Sequence, residues 1–482
     1  MQLRMFEDKA EKTRKGADST TGSDLTPPVD KPVVKVPNKK EKAVPTIVME
    51  EVASDVNLRA AFKKVEQNKG APGVDGKSVA DVKQRLPEIL KQISKSLIAG
   101  TYQPGDVRRI WIPKAGGGER PLGIPNVIDR LVQQALLQVM QPNFDPTFDD
   151  SSHGFRPGRS CHTAIAQATA HIKEGFDWVV DIDLERFFDT VNHQRLQSKL
   201  EQKIEDKRII RLIKLMLKAN IVMPDGVVTE SEQGTPQGGP LSPLLSNIVL
   251  NELDQELRKR GHRFVRYADD CNIYVRSQAA AERVLESITQ FIERRMRLKV
   301  NRVKSAAGES GTRNFLGFSL EHDIETDTVT VKISEKSIKK AALKIVEYSP
   351  RNWGASLENC IHQCNLYLRG WIEYFKIISP SEQRKLRRID AHLRRRLRAI
   401  QLKHWRRRRT IARSLIQLGA KSATVWRTIY GGRKSLWRLS HTPVVDRTLR
   451  NAYFADLGLI SLANRWEKLQ AKPIVQMQFA FV

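Results

Sequence analysis

The chain has 482 residues, with 82 Lys or Arg against 54 Asp or Glu, and so carries a formal charge of +28. At about 150 residues per domain this is chain for two to four domains, and the positive surplus exceeds what solubility needs, as expected of a protein that meets nucleic acid. Four scattered cysteines exclude a disulfide-stapled scaffold and a four-cysteine zinc module, and the charged N-terminus and lack of any run of about 18 apolar residues point to the cytoplasm, without signal peptide or membrane partner.

Residues 1–45 are poor in large apolar side chains and rich in Lys, Asp, Ser, Thr and Pro, and read as a flexible leader. Order is expected from Thr46, with Leu58, Phe62 and Val65 at helical spacing, Asp55 as N-cap and Gly70 past the end. A second helical stripe runs from Val82 to Ile98, interrupted by Pro87. Val107–Pro113 is strand-like before a Gly-rich turn, a hairpin signal, and a helix follows over 127–140. Trp178–Leu184 reads as a buried strand, Leu196–Leu217 as helical, and Leu241–Leu257 as a helix opened by Pro240. Phe264–Val275 is two β-rich runs meeting at Asp269 and Asp270, a hairpin with acids at its tip. Ala280–Met296 is amphipathic, Phe315–Ile333 reads as paired strands, and after Ser334 the pattern turns helical and very basic.

Asp183 closes one predicted strand, and Asp269 and Asp270 lie 86 and 87 positions later. An exposed acid pair in a turn is usually only solvated. Here the flanks, Val179, Val180 and Ile182 on one side and Val265, Ile273 and Val275 on the other, hold both sites at the edge of a core. Carboxylates on rigid, buried elements need a counter-charge, and hard oxygen ligands suit Mg²⁺. Two Mg²⁺ ions roughly 3.5–4 Å apart can activate an attacking 3′-oxygen and stabilise leaving pyrophosphate, which is nucleotidyl transfer.

In this order, the strand, hairpin and acids resemble a reverse transcriptase palm, and specifically that of a group II intron-encoded protein. Tyr267-Ala-Asp-Asp270 is similar to the catalytic hairpin motif of that family and Asp183-Leu-Glu-Arg-Phe-Phe-Asp-Thr-Val191 to its first carboxylate motif. Gly234-Thr-Pro-Gln-Gly-Gly-Pro-Leu-Ser-Pro243 is similar to the loop before the template-side helix. Asn68–Gly76, Arg120–Pro125 and His153–Ser160 resemble the N-terminal extension motif and two fingers motifs; Phe315-Leu-Gly-Phe318 resembles the primer-grip turn and Leu368–Phe375 the thumb, or maturase, region.

The resemblance implies an α+β right-hand polymerase: fingers and palm of antiparallel sheet plus helices over 46–330, a helical thumb over 331–410 and a basic extension over 411–482. It implies two Mg²⁺ ions held by Asp183, Asp269 and the carbonyl of Leu184, with Asp270 in support. Phe188 would exclude a 2′-hydroxyl, although Phe187 adjoins it and core packing is the alternative for the ring. Gln237 and Gly238 would let backbone approach the nucleotide, Lys114 and Arg120 would clamp the triphosphate, and Lys304 would protonate pyrophosphate unless it is a plain surface lysine. Cys360, His362 and Cys364 read as one packed helix rather than a metal site.

Between Arg384 and Arg409 there are thirteen Lys or Arg and one acid, Asp390, around an apolar pattern of Leu386, Ile389, Leu393, Leu397 and Ile400. One face can pack while Arg394, Arg395, Arg396 and Arg406, Arg407, Arg408 and Arg409 track phosphates. After Cys364 there is no cysteine, and beyond Arg409 the one histidine is His441, so the ligands of the metal-dependent endonuclease that many relatives carry are missing. The expected function is an RNA-directed DNA polymerase in a bacterial cytoplasm. Its partners would be structured intron RNA, an RNA template with DNA primer, deoxynucleoside triphosphates and a DNA target. A maturase without polymerase activity, and a domesticated reverse transcriptase in defence or DNA repair, are the alternatives.

Overall fold

The computed structural model describes residues 47–113, 118–229, 234, 238–350, 356–432 and 435–471. The expected leader, Lys114 and Gln237 lie outside them. The fold is α+β, as expected.

The first long helix, Asp55–Gln67, is capped by Ser54, whose Oγ accepts the Asn57 N–H, and not by Asp55. Asp55 is instead the acid of the first turn, where the helix dipole favours it. Leu58, Ala61, Phe62 and Val65 are buried against the 18-residue helix Val127–Phe144. The two are tied by Asn57, whose Nδ2 donates to the Ala135 carbonyl at 3.1 Å. The stripe over 82–98 is two helices, Val79–Gln84 and Leu86–Ile98, broken at Arg85 because Pro87 sits in the first turn of the second. The run over 196–217 is likewise split into His193–Glu201 and Lys207–Leu217, with Asp206 capping the second.

Strands β1 (Val107–Pro113) and β2 (Glu119–Ile124) pair antiparallel from Arg108 opposite Ile124 to Pro113 opposite Glu119. After β3 (Trp178–Ile182), the short strands β4 (Ile221–Val222) and β5 (Val228–Thr229) extend that hairpin, β4 running parallel to β1, so the sheet β2-β1-β4-β5 is mixed. The second sheet is antiparallel and joins β6 (Arg263–Tyr267), β7 (Asp270–Val275), β3 and β8 (Ala306–Glu309) in the order β6-β7-β3-β8. Helices Ser242–Lys259 and Gln278–Phe291 lie against it and bury Leu244, Leu245, Ile248, Leu253 and Ile288. The first begins at Ser242, with Pro243 rather than Pro240 in its opening turn. One core cluster runs from Ile47 to Val300 through these elements.

Strands β9 (Phe318–Asp323) and β10 (Thr328–Ile333) form a separate hairpin. It is followed by helices Glu335–Tyr348, Leu357–Tyr374, Gln383–His404, Arg408–Gln417 and, near the end, Leu462–Gln470. Cys360 and Cys364 are buried with Ile361 and Leu368 while His362 is exposed, so this is a packed helix. Asp390, the lone acid of the basic run, accepts the N–H groups of Leu462 and Ala463 and the Ser461 hydroxyl, closing the start of the last described helix. Tyr374 links the helices back to the sheet region: its hydroxyl donates to the Leu316 carbonyl at 2.8 Å, its own carbonyl lies 2.7 Å from the His162 ring nitrogen, and Phe318 stacks on its ring.

Candidate active site

The β6–β7 hairpin closes in two residues, Ala268 and Asp269, with Tyr267 and Asp270 as the last pair. Asp269 is therefore the acid in the turn, and Asp270 opens β7. Ala268 has φ +59, a left-handed conformation that costs a residue with a Cβ about 1–2 kcal/mol. A buried arginine holds it there. The Arg266 guanidinium donates to the Ala268 carbonyl at 2.8 Å, to Asn247 Oδ1 at 3.0 Å and to Ser152 Oγ at 2.8 Å, and forms a two-point pair with Asp254. Arg266 and Asp254 are both 0% exposed. From the other side Gly154 presses on the turn: a Cβ there would stand 2.2 Å from the Ala268 nitrogen.

Asp183 arrives from β3. The register of β3 on β7 ends at Ile182 opposite Cys271, so the next step sets Asp183 beside Asp270. Asp183 is clamped through its backbone, its N–H donating to Ser305 Oγ at 2.9 Å and its carbonyl accepting the Asn301 N–H at 2.8 Å. The same 299–305 segment carries Lys304, whose Nζ stands 3.3 Å from Asp183 Oδ2.

The electrostatics are those of crowded carboxylates. Burial, and then the charges of Asp181, Asp269 and Asp183, push the Asp270 carboxyl up to about 8. Burial pushes Asp181 up to about 6, with Arg313 opposing and Asp183 adding to the rise. Asp269 is raised by burial, then lowered by a backbone N–H and raised again by Asp183. Among the described residues, however, no three acid, His or Cys side chains converge closely enough to hold an ion as they stand.

A cleft of about 960 Å³ opens over this centre. Asp183, Leu184, Phe188, Gly238, Asp269, Arg120 and Lys304 all line it, which brings seven of the residues singled out in the sequence to one place. Asp270 lies off its wall. Both phenylalanines border the cleft, but Phe187 is 2% exposed and belongs to the core, while Phe188 is half-buried against that core and meets Phe187 edge-on at 5.4 Å. Gly238 has φ +121, and a Cβ would stand 2.5 Å from the Gly123 carbonyl oxygen. The close approach it permits is thus to β2.

Residues 112–320 match the reverse transcriptase (RNA-dependent DNA polymerase) family model, and residues 338–416 match the maturase-specific domain of group II introns. Among curated proteins, protein YkfC of Escherichia coli is 41% identical over 209 residues, 42% of this chain and 55% of that one. The group II intron-encoded protein LtrA of Lactococcus lactis is 40% identical over 198 residues, 40% of this chain and 32% of its own. The putative COX1/OXI3 intron 2 protein of Saccharomyces cerevisiae is 30% identical over 223 residues, 46% and 26% of the two chains. The chain belongs to the group II intron reverse transcriptase/maturase family. Its matches span about half, or less, of the length of these relatives.

Reverse transcriptases of this family work with Mg²⁺. Within the maturase-like region the predicted arginines divide. Arg396 is 3% exposed and donates to Ser349 Oγ at 2.7 Å and to the Ser349 carbonyl at 2.6 Å. This corrects its expected place among the phosphate-facing residues, since its guanidinium is held inside the fold. Arg395 lies over the Trp437 ring at 4.1 Å, while Arg406, Arg407 and Arg409 are exposed. None of the arginines of this run lines the acid cleft. No described helix is long and apolar enough to cross a membrane.

Sequence reasoning misses several supports of this site: Arg266 and Asp254 under the turn, Gly154 behind it, and Arg130. The last is buried at the cleft and donates to the Ala71 carbonyl at 2.6 Å, fixing the 68–76 loop. Arg130, Asp254 and Arg266 each stand within a helix or strand whose apolar pattern is plain, where a charged residue reads as outward-pointing.

Proposed function

We propose that this chain is an RNA-directed DNA polymerase that binds its intron RNA, assists its splicing and copies it into DNA at a target site. The observation that carries this reading is the meeting of Asp183, just past the end of β3, and Asp269, in the β6–β7 turn, in one cleft with Phe188, Arg120 and Lys304. The donor set suits Mg²⁺: hard carboxylate oxygens, with the Asp269 and Asp270 carboxyls raised by burial and by neighbouring acids, and one ammonium near Asp183 to offset them. Asp183, Asp269 and the Leu184 carbonyl would hold two ions, with Asp270 in support. When bound, such ions activate the primer 3′-oxygen and stabilise the leaving pyrophosphate. The chain's own residues do the rest. Arg120, at the exposed edge of β2, neutralises the incoming triphosphate, and Lys304 Nζ gives its proton to the departing pyrophosphate. Phe188 fills the space beneath C2′, so that a deoxyribose fits and a ribose collides. Fingers and palm are assigned to 46–330, the thumb to 331–410 and a basic extension to 411–482.

Extension of a DNA primer on an RNA template by purified protein with Mg²⁺ tests the reading. Asp269→Asn keeps the size of the side chain and removes its charge, and is expected to cut incorporation by at least about 100-fold, on the order of losing one main electrostatic stabiliser, with an unchanged melting temperature. Normal extension by that variant would overturn the assignment. A folded wild type that binds intron RNA and never extends a primer would leave a maturase without polymerase activity, with the maturase-specific segment over 338–416 as its working part.

A further inference from the structure

Phe155 follows Gly154 in the His153–Ser160 segment, and it is the odd residue of that segment. Its backbone has φ +59, a region that costs a bulky side chain on the order of 1–3 kcal/mol and survives where the surroundings over-determine it. Both flanks do so here. On one side the His153 N–H donates to the Arg266 carbonyl at 2.8 Å and the Gly154 carbonyl accepts Asn247 Nδ2 at 2.9 Å. On the other the Arg156 guanidinium is fastened to Asp145 at 2.8 Å and to the Asp149 and Ser152 carbonyls at 2.6 and 3.0 Å. Between these fixed points Phe155 is 50% exposed. The strained backbone therefore gains no compensating burial for the ring. It turns the ring into the cleft shared with Asp183, Asp269 and Phe188, 6.4 Å from the Tyr267 ring and inclined to it by 42°.

We propose that Phe155 forms a stacking platform for the terminal base of the primer. The proposal rests on the polymerase reading above, since that reaction requires the primer 3′-hydroxyl, and the base that carries it, to lie against Asp183 and Asp269. A polymerase must accept every base there, and an aromatic face does so because all four bases present a π-surface. The strain is explained in the same way: the backbone conformation orients a ring toward a substrate, a purpose that folding alone does not supply.

The decisive variant is Phe155→Gly, because glycine adopts φ +59 without strain. Single-nucleotide incorporation is expected to fall roughly 5- to 150-fold, the range that stacking of one base on an aromatic ring is worth, while the melting temperature holds or rises. Phe155→Leu is expected to lose a similar factor, and Phe155→Tyr to recover most of it. A second measurement needs no catalysis. A primer–template ending in 2-aminopurine is expected to lose fluorescence on binding the wild type and Phe155→Tyr, and to lose much less on binding Phe155→Gly or Phe155→Leu. Unchanged incorporation and quenching in Phe155→Gly would overturn the proposal, and so would an activity loss that tracks a fall in melting temperature, which would make the ring part of the fold. Quenching by a wild type that never extends the primer would sink the polymerase reading and leave the base contact standing. A wild type that binds no primer–template would overturn both.

Discussion

Asp270 carries a clear thermodynamic signature. With the folded-state carboxyl raised to about 8, against about 3.9 for an unfolded Asp, folding favours the protonated form. The stability it contributes is complete below about pH 4 and is lost as pH rises through about 8. Metal-free wild type is therefore expected to lose melting temperature relative to Asp270→Asn from about pH 5 to pH 8, the two converging toward pH 4. Added Mg²⁺ at the upper end of that range should narrow the gap by stabilising the wild type more. Thermal unfolding in chelator across that range checks it, and a constant gap would show that the carboxyl is not titrating. The two phenylalanines make a second pair of opposites. Phe187→Ala empties a core site and is expected to cost about 3–5 kcal/mol, read by urea unfolding. Phe188→Ala, at a ring only partly buried against that core, should cost less stability and admit ribonucleotides. At this scale the acids were legible in the sequence because strands rarely carry them, whereas Phe188 was preferred to Phe187 by resemblance alone, since the two rings open a helix of four residues, too short to show a period.

The acid-tipped hairpin as an element depends on a buried ion pair. Asp254→Ala would strand the Arg266 guanidinium without its counter-charge at 0% exposure, and breaking such a pair from one side costs about 3–5 kcal/mol. Because Arg266 also holds the Ala268 carbonyl, the turn should loosen, so incorporation should fall further than the stability of the variant alone would dictate. Equal stability with full activity would show that the pair is dispensable. Strand and helix existence followed from alternation and 3.6-residue spacing, and the hairpin and both sheets' main strands lie where those periods put them. The ends did not follow as well. Ser54 rather than Asp55 caps its helix because it can accept an N–H three residues on, and the break before Lys207 depends on Asp206 both capping Arg208 and accepting the Met49 N–H from far up the chain. A tertiary contact of that kind leaves no local trace.

For the molecule as a whole, the +28 charge is distributed unequally between surface and interior. Replacing Arg406, Arg407 and Arg409 by Gln is expected to weaken binding to structured intron RNA, lowering the salt slope by roughly 0.7–0.9 for each phosphate that is no longer neutralised. Extension of a short, saturating primer–template should change less. A salt series of RNA affinity beside single-nucleotide incorporation separates these outcomes, and an unchanged slope would reduce the run to a solvated face. Arg396 belongs to the other class. It stands seven residues after Ile389 and three after Leu393, on the apolar stripe itself, so its inward turn was written in the spacing, although its partner Ser349 was not. The cleft as a whole could not be read from composition, because it is assembled from segments as distant as Arg120 and Lys304.

Tyr374 gives this arrangement a further meaning. Its residue lies in the maturase-specific match, while Leu316 and His162, which it joins by hydroxyl and carbonyl, lie in the reverse transcriptase match. The seam between the two matched segments is therefore no natural crossover point for building hybrids. A chimera taking its helices from one homologue and its strands from another inherits a latch whose halves were shaped in different proteins, and the turn around Leu316, itself at φ +51, is where the mismatch would be felt first.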